Sequence, residues 1–171
     1  MRTGGPPTVQ SAACAGAAMP DVYMMSLRKP WSDLTVDGVK TMELRRSGCA
    51  IPPGSLVYIY ESGAKGAGAI VGSVVLDRVE VHTAQWCQDP ATRVLHRVPP
   101  DHVADYAATG QTRFDGGRAL MPLTCIVWQP GSAVRFPTPI PAPCKAVPTW
   151  RKLSNAERFI VAEMAAVQRI T

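Results

Sequence analysis

The stretch 38-GVKTMELRR-46 decides how the rest of the chain is read. Met42 and Leu44 fall on one side and Thr41, Glu43 and Arg45 on the other, the two-residue period of a strand with one apolar face. Lys40 stands at its entrance and Arg46 at its exit. Four charged side chains therefore crowd into residues 40–46 of a chain that is only 18% charged. Upstream, 30-PWSDLTVDG-38 has Pro first, Trp31, Leu34 and Val36 at helical spacing and Gly38 as a stop, which predicts a short helix.

Working outward, 21-DVYMMSLR-28 reads as a strand ended by Pro30, and 56-LVYIYES-62 as another. Residues 63–68, GAKGAG, form a hairpin loop into a long β-rich run over 69–82, where Gly72 marks a bulge. Residues 83–100 suggest a turn or short helix and a connector, and 100–110 a short helix closed by Gly110. Two further strands follow over 118–130 and 132–140, joined at Pro130-Gly131. Five prolines between 137 and 148 imply an extended run with little secondary structure. In 154-SNAERFIVAEMAAVQRI-170, Ser154 and Glu157 spell a capping box, and Ile160, Met164 and Val167 form an apolar stripe on a helix expected to pack on a β-barrel.

The fold expected is α+β: a small, partly open and mostly antiparallel β-barrel with short inserted helices and a C-terminal helix. A chain of 171 residues supports one such domain, over 21–171. Residues 1–20 are Gly, Ala, Pro and Ser with few large apolar side chains, the composition of a disordered tail. Five scattered cysteines without a C-x-x-C pair suit a reducing cytoplasm. No apolar run is long enough for a membrane helix, and the N-terminus lacks the apolar core of a signal peptide, so a soluble cytoplasmic protein is expected. The net charge of +5 leans toward an anionic partner.

The order SLRKPW, GVKTMELRR, GSLVYIYES and AIVGSVVL, with VPTWRKLS before the last helix, resembles the ASCH domain, a PUA-like family linked to RNA binding and RNA-directed chemistry. Gly38, Lys40, Glu43 and Arg45 fill its G-x-K-x-x-E-x-R pattern. The resemblance implies a cleft in which Arg28, Lys29, Lys40, Glu43, Arg45, Tyr60 and Ser62 converge. RNA or single-stranded nucleic acid is then the expected partner, with Lys29, Lys40 and Arg45 on phosphates and Tyr60 or Trp150 stacking on a base. Trp150 is followed by Arg151 and Lys152, an arrangement that suits base stacking plus phosphate contact at a cleft margin and equally suits docking of the terminal segment. Glu43 has two possible uses, acceptor for a base amino group or general base beside Lys40.

An RNA-directed hydrolase of the same fold is therefore the alternative, with Lys40 and Glu43 handling protons, or Lys40 and Tyr60 in a ribonuclease. Amidohydrolases of the family that deacetylate N4-acetylcytidine resemble G-x-K-T-x-T, and here Glu43 stands where the second Thr belongs, so that activity is not carried over. A protein-interaction adaptor using the proline-rich run is a third class, and the sequence identifies no protein partner for it. His82, Cys87, His96 and His102 lack metal-ligand spacing, GAKGAG lacks the G-K-[ST] of a phosphate loop, and no G-x-S-x-G elbow occurs. No metal or cofactor is expected, and a monomer is.

Overall fold

The computed structural model describes residues 21–112, 117–145 and 149–168; the tail expected over 1–20 lies outside them. The chain order is β1 Val22–Arg28, α1 Trp31–Val36, β2 Met42–Arg45, β3 Leu56–Ser62, β4 Ala69–His82, α2 Ala84–Gln88 and α3 Pro90–His96. It continues with α4 Pro100–Ala107, β5 Ala108–Thr112, β6 Arg118–Leu120, β7 Leu123–Trp128, β8 Val134–Ile140, β9 Trp150–Lys152 and α5 Asn155–Val167. None of the described helices is long and apolar enough to cross a membrane.

The main sheet runs β2-β7-β4-β3-β1-β9, with β8 on β4, and β5 pairs with β6 apart from it. Its ladders are antiparallel except β1 on β3, which is parallel across the crossover that contains α1 and β2. The α+β class is as expected, and the expected partly open barrel is not closed here. The path is open, and among the described strands no ladder joins β2 to β9. Instead the 14-residue β4 serves two half-sheets: residues 69–75 pair with β3, and residues 76–82 with β7.

Three apolar clusters fix the layers. Met25, Val57, Ile59, Val74, Leu76 and Trp128 bury one face of the sheet. Met42, Leu44, Leu123 and Val127 pack under α2 and α4 through Cys87, Val103 and Ala107. Met24, Tyr58, Ile70, Phe136 and Ile140 meet α5 through Val161 and Ala165. Met24 and Met25 thus belong to opposite layers, which is why β1 reads as a continuous apolar run.

The capping box forms as the sequence indicates, Glu157 N–H donating to Ser154 Oγ at 3.3 Å and Ser154 N–H to Glu157 Oε2 at 2.8 Å. The helix, however, turns a different face inward. Val161 and Ala165 are buried, whereas Ile160, Met164 and Val167 are exposed together with Phe159. Short side chains win the inner face because α5 lies directly on the β8 side of the sheet, where bulkier ones would hold it off. The proline-rich run is also partly recruited: Pro137 and Pro139 lie in β8 where its pairing with β4 is irregular, between Gly72↔Arg135 and Ile70↔Ile140, a position that tolerates prolines. Strand 118–130 is split in two at Met121-Pro122, and β9 emerges from a segment without strand signal.

Gly72 is as structural as its sequence context suggests. Beside it Val71 is the extra residue between the pairs Ile59↔Gly72 and Tyr60↔Ile70. A Cβ on Gly72 would lie 2.3 Å from Val134 O and 2.6 Å from Val36 Cγ1, because β8 and α1 both close over that point. Gly72→Ala is expected to destabilise by about 1–3 kcal/mol, or more because one obstacle is backbone, in urea unfolding.

Candidate functional site

Lys40 sits between α1 and β2, where its backbone N–H donates to Leu34 O at 2.8 Å. Being in the turn and not the strand, it sends its side chain to the Glu43 side, which strict alternation would deny it. The ammonium is 1% exposed and has three acceptors: Met42 O at 2.6 Å, His96 O at 3.0 Å and Glu43 Oε2 at 3.1 Å. Three protons meet three acceptors. The Trp31 ring closes the fourth side, 5.7 Å from Nζ. Burial draws the Lys40 pKa down, and Glu43 opposes that shift.

Glu43 is held from both ends. Its Oε1 lies 3.0 Å from Arg45 Nε, an ion pair whose N–H is not aimed at the oxygen, while Arg45 Nη2 donates to Ser26 O at 2.7 Å on β1. β1 and β2 are far apart in the sheet order, so Arg45 bridges the open side of the bent sheet. The carboxylate and its two cations form one wall of a cavity of about 810 Å³, within the span of small-ligand sites. Arg28, Lys29 and Arg46 add to its charge, giving five basic side chains and one carboxylate in the lining.

The rim cations differ in their ties. Lys29 lies 3.7 Å from both Asp33 and Glu61. Arg28 and Arg46 have no acidic partner among the described residues; Arg46 instead rests its guanidinium 5.2 Å over the Tyr106 ring, and its backbone N–H donates to Tyr106 Oη at 3.3 Å. His102 and Tyr106, four apart on α4, present one helix face to the cavity.

Of the residues singled out in the sequence, Arg28, Lys29, Lys40, Glu43, Arg45 and Ser62 line this one cavity. Tyr60, Trp150 and Arg151 are not in its lining. Tyr60 packs with Tyr58 on the sheet face beneath α5. Trp150 leans edge-on against Tyr23 at 5.9 Å, and Arg151 Nη2 pairs with both oxygens of Glu157 at 2.6 and 2.7 Å. Thr149, next to Trp150, does line the cavity, its carbonyl accepting from Ser26 N–H at 2.9 Å. From the sequence Arg46 stands only at the exit of the strand, His102 is weighed only as a metal ligand, and Tyr106 is not singled out; the signal that joins the last two is i,i+4 spacing on a short helix. It also missed buried Glu61, which accepts from Ser32 Oγ at 2.7 Å and Ala67 N–H at 2.8 Å and so ties the hairpin loop to α1.

His96 is structural, as its spacing implied. Nε2 donates to Cys87 O at 2.7 Å and Nδ1 accepts from Val98 N–H at 3.0 Å, which requires the neutral ring, and burial holds its pKa below the ordinary histidine value. Cys87 and Cys125 are buried thiols with sulfurs 3.8 Å apart. Among the described residues no group of three or more His, Cys, Asp or Glu is placed to hold a metal.

No protein-family model matches the chain, and no curated protein matches its sequence. Solved structures do match. The ASCH protein of Zymomonas mobilis superposes with a TM-score of 0.68 at 15% identity, over 84% of this chain and 94% of that one. A serine-to-alanine mutant of it gives 0.67 at 15% identity, covering 85% and 99%, and a tyrosine-to-phenylalanine mutant 0.66 at 14%, covering 84% and 97%. The chain has the ASCH-domain fold.

Two outcomes follow from the buried groups. Lys40→Met strands two carbonyls and half of the Glu43 charge and is expected to cost about 3–5 kcal/mol in urea unfolding. For His96 the unfolded chain takes up a proton first as pH falls below 6.5, so the stability His96 contributes is complete above that value and is lost toward its lower folded pKa. Unfolding free energy between about pH 7.5 and 5 should therefore fall more steeply in the wild type than in His96→Gln, by up to about 1.4 kcal/mol per pH unit.

Proposed function

We propose that the protein binds single-stranded RNA, seating one nucleotide in the cavity. The observation that carries this is the division of the site into a fixed carboxylate and a free cationic rim. Glu43 only accepts hydrogen bonds, and Lys40 and Arg45 leave it lone pairs for the amino or imino donors of a base. Arg28 and Arg46, without acidic partners, are available to phosphate oxygens, and Tyr106 and Trp31 offer aromatic surface beside them. Lys40, expected from the sequence to capture phosphate, has its three protons engaged already; its role is to hold Glu43. Lys29 reaches phosphate only by loosening its two long ion pairs.

The same geometry favours binding over hydrolysis. A buried lysine with every proton donated and a carboxylate clasped between two cations are poorly arranged to shuttle a proton to or from a ribose hydroxyl.

Anisotropy with single-stranded RNA should show salt-dependent binding, and Arg28→Ala/Arg46→Ala should lower the slope of log K against log salt by about 1.4, about 0.7 for each phosphate contact removed. A denaturing gel of the same samples should show intact RNA. Cleavage that disappears in Glu43→Gln would replace the binding function by a hydrolytic one.

A further inference from the structure

A second, shallower pocket of about 370 Å³ opens on α3 next to the cavity, and Val98 lines both. Its polar wall is Arg93 and Arg97, the last turn of α3 and its C-cap. No acidic side chain pairs with either among the described residues, and Arg93 Nε is buried without a hydrogen-bond partner.

Arg97 is unusual in its backbone as well. With φ at 60° it is the only described non-glycine residue in the left-handed region, at a helix end where Gly or Asn is the less strained choice. What the arginine gains there is a position: it lines the pocket, and its Nε donates to Val39 O at 3.2 Å, a bond that does not use the two outer nitrogens of the fork. Residues 39, 40 and 41 are each tied to the end of α3, through Arg97 Nε to Val39 O, Lys40 Nζ to His96 O and Thr41 N–H to Leu95 O at 2.8 Å. The two pockets are thereby held at a fixed spacing. Cations are also favoured at the negative end of a helix, but any lysine in the last turn satisfies that, and it requires neither the strained backbone nor the bare Nε.

We propose that Arg93 and Arg97 form a phosphate subsite, which takes the backbone phosphate of the nucleotide adjacent to the one in the cavity. The strand then crosses Val98 with its sugar against the apolar ridge. The proposal rests on the RNA-binding function above and extends it from a single nucleotide to a strand.

The test compares nucleoside 5′-monophosphates with single-stranded RNAs of two to about eight nucleotides, a span that covers one small binding groove. Arg97→Gly suits it, because glycine accepts the left-handed backbone and what is lost is the guanidinium with its bond to Val39 O; Arg93→Gln, which leaves that bond in place, is the second variant. Wild type should bind a short strand more tightly than a monophosphate. Each variant should keep the monophosphate affinity, lose on the order of tenfold for the strand and lose about 0.7 of the salt slope. The Arg97→Gly melting temperature should be no lower than wild type. Variants that bind strands like wild type while Arg28→Ala/Arg46→Ala binds poorly overturn the subsite alone, and wild type that binds no probe overturns the cavity function with it. A lower melting temperature in Arg97→Gly with all affinities reduced alike makes Arg97 a structural cap and also overturns the subsite.

Discussion

A buried ammonium group, that of Lys40, is the constraint to which the site is built. Removing a charge from water costs several kcal/mol, repaid only where every proton finds an acceptor in good geometry. For Lys40 those acceptors come from β2 and the end of α3, with α1 supplying the Trp31 ring. None of these elements can shift without stranding the charge. The result is a carboxylate, Glu43, whose oxygens are aimed before any ligand arrives, so little ordering entropy remains to oppose binding. Exposed pairs such as Arg135 with Asp33 and Asp37 staple α1 to β8 and carry no comparable weight.

Charge in the cavity is consequently of two kinds. The buried cations are consumed by the protein's own acceptors, and the exposed ones are held loosely, Lys29 by two long ion pairs, Arg46 by an aromatic ring and Arg28 by nothing acidic among the described residues. A count of basic residues in the sequence mixes the two. Lys40 and Arg46 look alike on paper, yet one is a structural pin and the other is open to solvent.

Much of the fold was legible because its signals are local. The β4 run was bounded at 69–82, the strand within 40-KTMELRR-46 was found by its alternation, and Ser154 with Glu157 marked the start of α5. What failed depends on partners distant in sequence. A strand's alternation does not say which strand lies beside it, so the path through β4 and the parallel β1–β3 ladder were not visible. The face of α5 was misread because size decided it: Val161 and Ala165 allow close approach, while the larger Ile160 and Met164 attract attention in a hydropathy pattern. Within the site, Lys40, Glu43 and Arg45 lie within six residues and were found together. Tyr106 and Thr149 come from other elements, and no spacing rule connects them to β2.

The sheet order also bears on how the chain comes together as it is made. β1 is flanked by β3 on one edge and by β9 on the other, through Met25↔Trp150 and Tyr23↔Lys152. The first ladder closes once the residues up to 62 have been synthesised. The second waits for residues 150–152, about half the length of the chain later. Throughout that interval a strand with apolar residues on both faces has a bare row of N–H and C=O groups, the form of edge that invites pairing with another chain. Ser26 lies on that edge and receives its Thr149 partner only at the end, so the cavity wall is finished by the same late event that protects the nascent sheet.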